Sequence, residues 1–196
     1  MKPKDEELFI DAEHPECVIT REDAKTYAQQ IARTLRDVDG IGAEGPGKDV
    51  IAMYSTNQVL SSRFTFSFKM MYPVAMLGVI GAGGVWAPTP FNLTSTEASR
   101  HFGIVMPKLV FCSEDLLAST RDACDKAGIP RSKIYLITSS PQDITNGETG
   151  KSLLGPSLLP WSRVTDLEQL KQIPIFLHFT SGTTGLPKYL HSVSDL

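Results

Sequence analysis

Two hydrophobic periods alternate along the chain. After Thr20, the apolar residues Ala24, Ala28, Ile31 and Leu35 recur at four- and three-residue steps, the spacing of one helix face. Thr20 with Asp23 three residues on forms a helix start, and Gly40 sets an end near Val38. A glycine- and proline-rich loop (GIGAEGPGKD) follows, and residues 49–54 (DVIAMY) then read as a buried strand. Residues 73–80 predict a second helix, broken at 81–84, with 84–87 (GVWA) as the next strand. Thr94 and Glu97 form a capping-box pair ahead of a helix through Phe102. Residues 108–112 (KLVFC) predict a strand. Ser113 then caps a helix lined by Leu116, Thr120, Ala123 and Ala127, and Gly128 stops it. Residues 134–137 (IYLI) predict another strand, and 139–160, rich in Ser, Gly, Pro and Thr, an irregular excursion. Thr165 and Glu168 pair over a short helix, and 175–179 form a last apolar strand.

Strands that alternate with helices predict an α/β fold with a mostly parallel sheet and helices on both faces. One stretch breaks the pattern. Residues 58–71 (QVLSSRFTFSFKMM) carry Phe64, Phe66 and Phe68 at strand period where a short connection is expected. They read as an extra hairpin arm or an insertion, loosely packed.

Composition narrows the class. The 196 residues suffice for one domain with a real core. With 19 Lys+Arg against 22 Asp+Glu the charge is -3, which argues against a nucleic-acid partner. The three cysteines are scattered, without a C-x-x-C pair, and fit a reducing compartment. The N-terminal charges precede no apolar run of signal type. The most apolar stretch, 72–88, is shorter than the ~20 residues of a membrane span, and four glycines interrupt it. A cytoplasmic chain is expected. No metal-ligand spacing is present. His14 and His101 stand alone and read as ordinary polar contacts, and His178 as a core or cleft residue. Cys112 and Cys124 read as small core fillers, Trp86 and Trp161 as packing residues.

The candidate chemistry lies in residues 179–188, FTSGTTGLPK. Four hydroxyls (Thr180, Ser181, Thr183, Thr184) and two glycines (Gly182, Gly185) follow an apolar strand, and Lys188 closes the segment. Glycine lets successive backbone N–H groups converge, and such a nest with hydroxyls around it suits phosphate oxygens. Lys188 adds a mobile positive charge. The same residue types also make an ordinary polar turn after a strand, and the residues alone leave both readings open. A Walker P-loop is excluded. Leu186 and Pro187 separate Gly185 from Lys188, and Tyr189 stands where Ser or Thr is required.

FTSGTTGLPK resembles the signature of the adenylate-forming (AMP-binding) superfamily, which includes acyl-CoA synthetases, luciferases and nonribosomal peptide adenylation domains. The resemblance extends through LFIDAEHPECVITREDAKTYAQQIARTL, GIGAEGPGKDVIAMYSTN, YPVAMLGVIGAGGVWAPTPFNLTSTEASRHF, KLVFCSEDLL and LPWSRVTDLEQL. The flavour is that of coumarate-CoA ligase-like proteins in a fungal style. It implies that residues 1–196 are a partial N-terminal adenylation domain. It also implies a ligase that activates a carboxylic acid with MgATP to an acyl-adenylate and passes it to coenzyme A. By the resemblance, Thr180, Ser181, Gly182, Thr183, Thr184, Gly185 and Lys188 would contact ATP phosphates, and Lys188 would offset charge on leaving pyrophosphate. No residue of the chain is assigned to a metal.

The chain departs from the family pattern after Lys188. YLHSVSDL follows in place of the usual Gly-Val, and His191 and Ser192 miss the family spacing. The expectation is a fragment lacking the C-terminal domain and most of the pocket, inactive alone. The alternative is a non-catalytic ATP-binding or interaction protein on the same fold. Ser-Asp-Leu at the end is not the peroxisomal Ser-Lys-Leu.

Overall fold

The computed structural model describes residues 5–10, 15–56, 70–139, 142–161, 164–180 and 188–193. A small antiparallel hairpin, β1 (Glu7–Ile10) with β2 (Val18–Thr20), opens the chain. Helix α1 (Arg21–Asp39) begins where Thr20 and Asp23 complete a reciprocal capping box, and ends at Gly40 in the left-handed region. Its buried stripe includes Ala24, Ala28, Ile31 and Leu35, as the spacing predicted.

The main sheet has seven strands. In chain order they are β3 (Val50–Tyr54), β4 (Val85–Thr89), β5 (Leu109–Ser113), β6 (Ile134–Ser139), β7 (Gln142–Asn146), β8 (Pro174–Thr180) and β9 (Lys188–Val193). Their spatial order is β7-β6-β5-β3-β4-β8-β9. The pairs from β6 through β8 are parallel, and the edge strands β7 and β9 are antiparallel. The sheet is therefore mixed, with a parallel centre.

Helices α2 (Met71–Ala82), α3 (Ser95–Val105) and α4 (Leu117–Ala127) complete the layers. Side chains alternate across each strand, so the core divides in two. Ile51, Met53, Trp86, Leu109, Phe111 and Ile137 meet α1 and α2 on one face. Ala52, Tyr54, Val110 and Cys112 meet α3 and α4 on the other. Strands buried on both faces explain the continuous apolar runs in the sequence. Helices α1 and α2 approach closely at Gly78, where an added Cβ would lie 2.6 Å from the Ile31 side chain.

Three expectations need correction. Residues 142–146 (QDITN), placed within an irregular excursion, form strand β7, paired from Tyr135↔Asn146 to Ser139↔Gln142. As an edge strand it carries polar residues and shows no apolar run. The short helix α5 (Leu167–Leu170) is capped by Asp166, whose carboxylate accepts from the Glu168 and Gln169 amides, rather than by Thr165. Ser113 makes no capping bond. A single 3₁₀ turn, Glu114–Leu116, intervenes before α4, and the Ser113 hydroxyl accepts from the Thr56 amide at 3.4 Å. Of the proposed insertion 58–71, residues 58–69 lie outside the described set, and Met70 and Met71 are buried at the start of α2.

Candidate phosphate-loop site

Parallel strands all present their carboxyl ends to one rim, where ligands of open α/β sheets bind. Here that rim carries Ser55, which follows β3, Thr89 at the end of β4, Ser113 at the end of β5 and Thr180 at the end of β8. The candidate segment starts on this rim. Strand β8 carries the apolar lead-in and β9 returns beside it, with Thr180 paired to Lys188. The ladder thus brings the first and last predicted phosphate contacts together across an antiparallel pair. Ser181, Gly182, Thr183, Thr184 and Gly185 lie outside the described residues. His191 and Ser192 fall within β9, opposite Leu177 and Phe176.

The strand that delivers the segment is less buried than the sheet centre. Leu177 is buried, Phe176 and Phe179 are half-buried, and His178 is exposed. His178 stacks on Phe176, with ring centroids 5.4 Å apart and planes 11° apart. It is neither a core residue nor enclosed in a cleft.

Beside the end of β8 sits His101, read from the sequence as an ordinary polar contact. Helix α3 starts at a capping box between Thr94 and Glu97 and buries Ala98, His101, Phe102 and Val105. That i, i+3, i+4, i+7 set places His101 in a core position. Its Nδ1 lies 3.1 Å from the Thr89 hydroxyl. Its ring meets Phe179, with centroids 3.3 Å apart. Burial pushes its pKa down to about 4, so the imidazole is neutral at pH 7. Nε2 is buried with no hydrogen-bond partner among the described residues. The ordinary polar contact expected of it exists, but inside the core. The signal was present in the spacing of Ala98, His101, Phe102 and Val105.

The other singled-out residues are structural. Cys112 and Cys124 are buried, and burial pushes the Cys124 thiol up to about 12, which keeps it protonated. Trp86 is fully buried and meets Tyr72 and Phe111 edge to face. Trp161 lies against Gly81 while remaining 43% exposed. His14 lies outside the described residues. Among the described residues no group of three His, Cys, Asp or Glu could hold a metal ion. No helix there is long and apolar enough to cross a membrane.

The fold is a mixed α/β sheet with helices on both faces, and the hydroxyl- and glycine-rich segment follows β8 in the sequence. The profile of the AMP-binding enzyme family matches residues 2–190, and the chain belongs to that family. A protein of Emericella nidulans that carries the name of an acyl-coenzyme A synthetase is 33% identical over 184 residues. The match covers 92% of this chain and 31% of that protein. The phenylacetyl-CoA ligase epaB of Aspergillus niger is 28% identical over 185 residues, with the same shares of 92% and 31%. Among solved structures, ATP-bound MatB from Rhodopseudomonas palustris superposes with a TM-score of 0.67 at 17% identity. It covers 98% of this chain and 33% of MatB, and shows the shared fold. The chain spans about a third of the length of the relatives it matches.

Proposed function

We propose that this chain supplies the ATP-phosphate loop of an AMP-forming acid–thiol ligase. Such a ligase converts a carboxylic acid and MgATP to an acyl-adenylate and pyrophosphate, then transfers the acyl group to coenzyme A. The observation that supports the reading is the position of Thr180 at the carboxyl end of β8, paired with Lys188 in β9, with the rest of FTSGTTGLPK between them in sequence. In this reading Thr180, Ser181, Gly182, Thr183, Thr184, Gly185 and Lys188 hold the β- and γ-phosphates. Backbone N–H groups and hydroxyls orient the oxygens. Lys188 screens charge that grows as pyrophosphate departs, so it acts more on the transition state than on acid binding. Magnesium would enter with the ATP phosphates. The described residues present no carboxylate cluster for it, and no step is assigned through it. The names of the relatives, acyl-coenzyme A synthetase and phenylacetyl-CoA ligase, support an acyl or aryl acid as substrate.

Calorimetric titration of the 196-residue chain with pyrophosphate and with ATP tests the loop. Binding of both is expected, at comparable and weak affinity. Lys188→Ala should weaken both by roughly tenfold, the scale of one charge-assisted contact. Unchanged binding in Lys188→Ala would remove the support for a phosphate role. Pyrophosphate release with a panel of aryl and acyl acids, above the Lys188→Ala control, separates a ligase from a non-catalytic ATP-binding protein.

A further inference from the structure

On its β4 side the end of β8 has little ladder to hold it, while on the other side β9 pairs with it from Phe176 to Thr180. Strand β4 pairs with β3 at five register positions, Val50↔Val85 through Tyr54↔Thr89. With β8 it has the single register pair Trp86↔Phe176. Counted three residues along from that pair, Thr89 lies level with Phe179. Beyond Phe176, therefore, β8 approaches its parallel neighbour chiefly through side chains. On that stretch His101 contacts both strands: its Nδ1 faces the Thr89 hydroxyl and its ring lies on Phe179. Leu177 and Phe179 belong to the same small apolar cluster as Val85, Ala87 and Val105, so one face of the strand end rests on α3 and β4.

A core position on α3 could have held any apolar side chain, and a buried imidazole with an unpaired nitrogen costs stability. What histidine adds is a flat ring whose rotation is fixed by one hydrogen bond. We propose that His101 is a positioning residue for the phosphate loop. Anchored to Thr89, it presents its ring as the plate that seats Phe179 and so fixes where β8 releases the chain at Thr180. The proposal rests on the phosphate-loop reading above for its functional consequence, but its structural part stands apart from it. His101 touches no phosphate in this scheme. It acts through Phe179.

The test uses the 196-residue chain and two readouts, amide hydrogen exchange by residue and calorimetric affinity for inorganic pyrophosphate. His101→Ala removes plate and anchor together. It should accelerate exchange at residues 177–180 and 188–190 by about tenfold, the size of coupling between side chains in contact, while β3 and β5 amides keep their protection. Pyrophosphate affinity should fall by about the same factor. His101→Phe keeps the plate and Thr89→Val removes only the anchor, so each should give a smaller loss, about threefold. Phe102→Leu alters the same helix on the side facing Tyr54 and serves as the control for general loosening of α3. The inference is overturned if His101→Ala leaves the end of β8 protected, or if Phe102→Leu accelerates it equally. Should His101→Ala fail to fold, His101→Phe and Thr89→Val decide, and wild-type exchange at 177–180 in both overturns it. If wild-type chain binds no pyrophosphate, the phosphate-loop reading falls and exchange alone judges the plate. If binding is normal and exchange unmoved, the plate falls and the loop reading stands.

Discussion

The centre of the sheet and strand β8 beside its edge are built from similar apolar residues under different constraints. In β3, β4 and β5, nearly every side chain is buried, and each strand is held by two parallel neighbours and by helices on both faces. In β8 the alternation runs from half-buried Phe176 to exposed His178, and the strand meets β4 at one register pair. The centre gains its stability from burial, roughly 25 cal/mol per Å² of apolar surface. The edge gives up burial in β8, where Phe176 and Phe179 are half-buried and His178 is exposed. Burial is concentrated where no chemistry is proposed, and the candidate segment begins at a strand less buried than the centre.

The largest expected difference between the regions is in stability. Trp86 is 1% exposed and meets two aromatic rings, with centroids 5.4 Å away at Tyr72 and 6.3 Å at Phe111. Trp86→Ala should cost about 3–5 kcal/mol, a large part of a typical domain's total. His178→Ala at the edge should stay within about 0.5 kcal/mol, as for exposed positions generally. Urea unfolding of both variants checks the contrast. Equal losses would break it.

A smaller effect separates two glycines of the loop between α1 and β3. Gly42 has φ +76°, and an added Cβ would lie 2.2 Å from the Ala82 carbonyl oxygen, at the junction of α2 with β4. Backbone cannot yield there cheaply. Gly42→Ala should cost about 3 kcal/mol from strain and overlap combined. Gly45 has φ +104° but nothing within 4 Å of its added Cβ. Gly45→Ala should cost only the conformational penalty, about 1 kcal/mol. Thermal unfolding of the pair would show whether the packing of that junction, and not left-handed backbone alone, fixes the loop.

Helix caps give a third contrast. Thr20 closes a full capping box on a nineteen-residue helix packed against α2. Thr20→Ala should lose about 1 kcal/mol. Asp166 caps only the four-residue α5, in which no residue is buried. Asp166→Ala should loosen that turn, read as faster local exchange, with no measurable change in the urea midpoint. Thr165→Ala should change neither, because the cap is Asp166.

These contrasts show which features were legible in sequence. Long periodic elements were readable because burial and local signals agree in them. Thr20, Asp23 and Gly40 bracket α1, and Thr94 and Glu97 start α3 where the structure starts it. Strand β7 was hidden because an edge strand needs no apolar run, and QDITN is held by its pairing with β6, a contact distant in cause from its own composition. The cap at α5 was misread by one residue, as happens where several hydroxyl and carboxylate residues compete in a short turn. The segment 179–188 was legible as candidate chemistry, and the parallel topology sets its first residues, Phe179 and Thr180, at the carboxyl end of β8. The role offered to His101 could not be read locally, since Thr89 and Phe179 come to it from two strands far apart in sequence.

A last effect ties the two regions together through pH. In the folded chain burial pushes the His101 pKa down to about 4, and in the unfolded chain it returns to the ordinary 6.5. Well above pH 6.5 both states carry a neutral ring and His101 contributes no pH dependence. As pH falls from 6.5 toward 4, the unfolded chain takes up a proton that the folded chain refuses. Folding stability therefore drops with falling pH across that window, by at most about 1.4 kcal/mol per pH unit. Below pH 4 the folded chain protonates as well and this contribution levels off. The carboxylates Glu97, Asp122 and Asp125 have pKa values lowered by their hydrogen-bond partners, so they lose protective charge only as pH falls through and below the usual carboxylate range. Among the described residues with a shifted titration, His101 should thus be the main one between pH 6.5 and 5.5. Urea midpoints measured at pH 7.0, 6.5, 6.0 and 5.5 should decline for wild type and run nearly flat for His101→Phe, which keeps the ring and cannot take the proton. A parallel decline in both proteins would mean that the ring is more hydrated than its burial between Thr89 and Phe179 requires, and the anchored plate beneath the β8 edge would lose its basis.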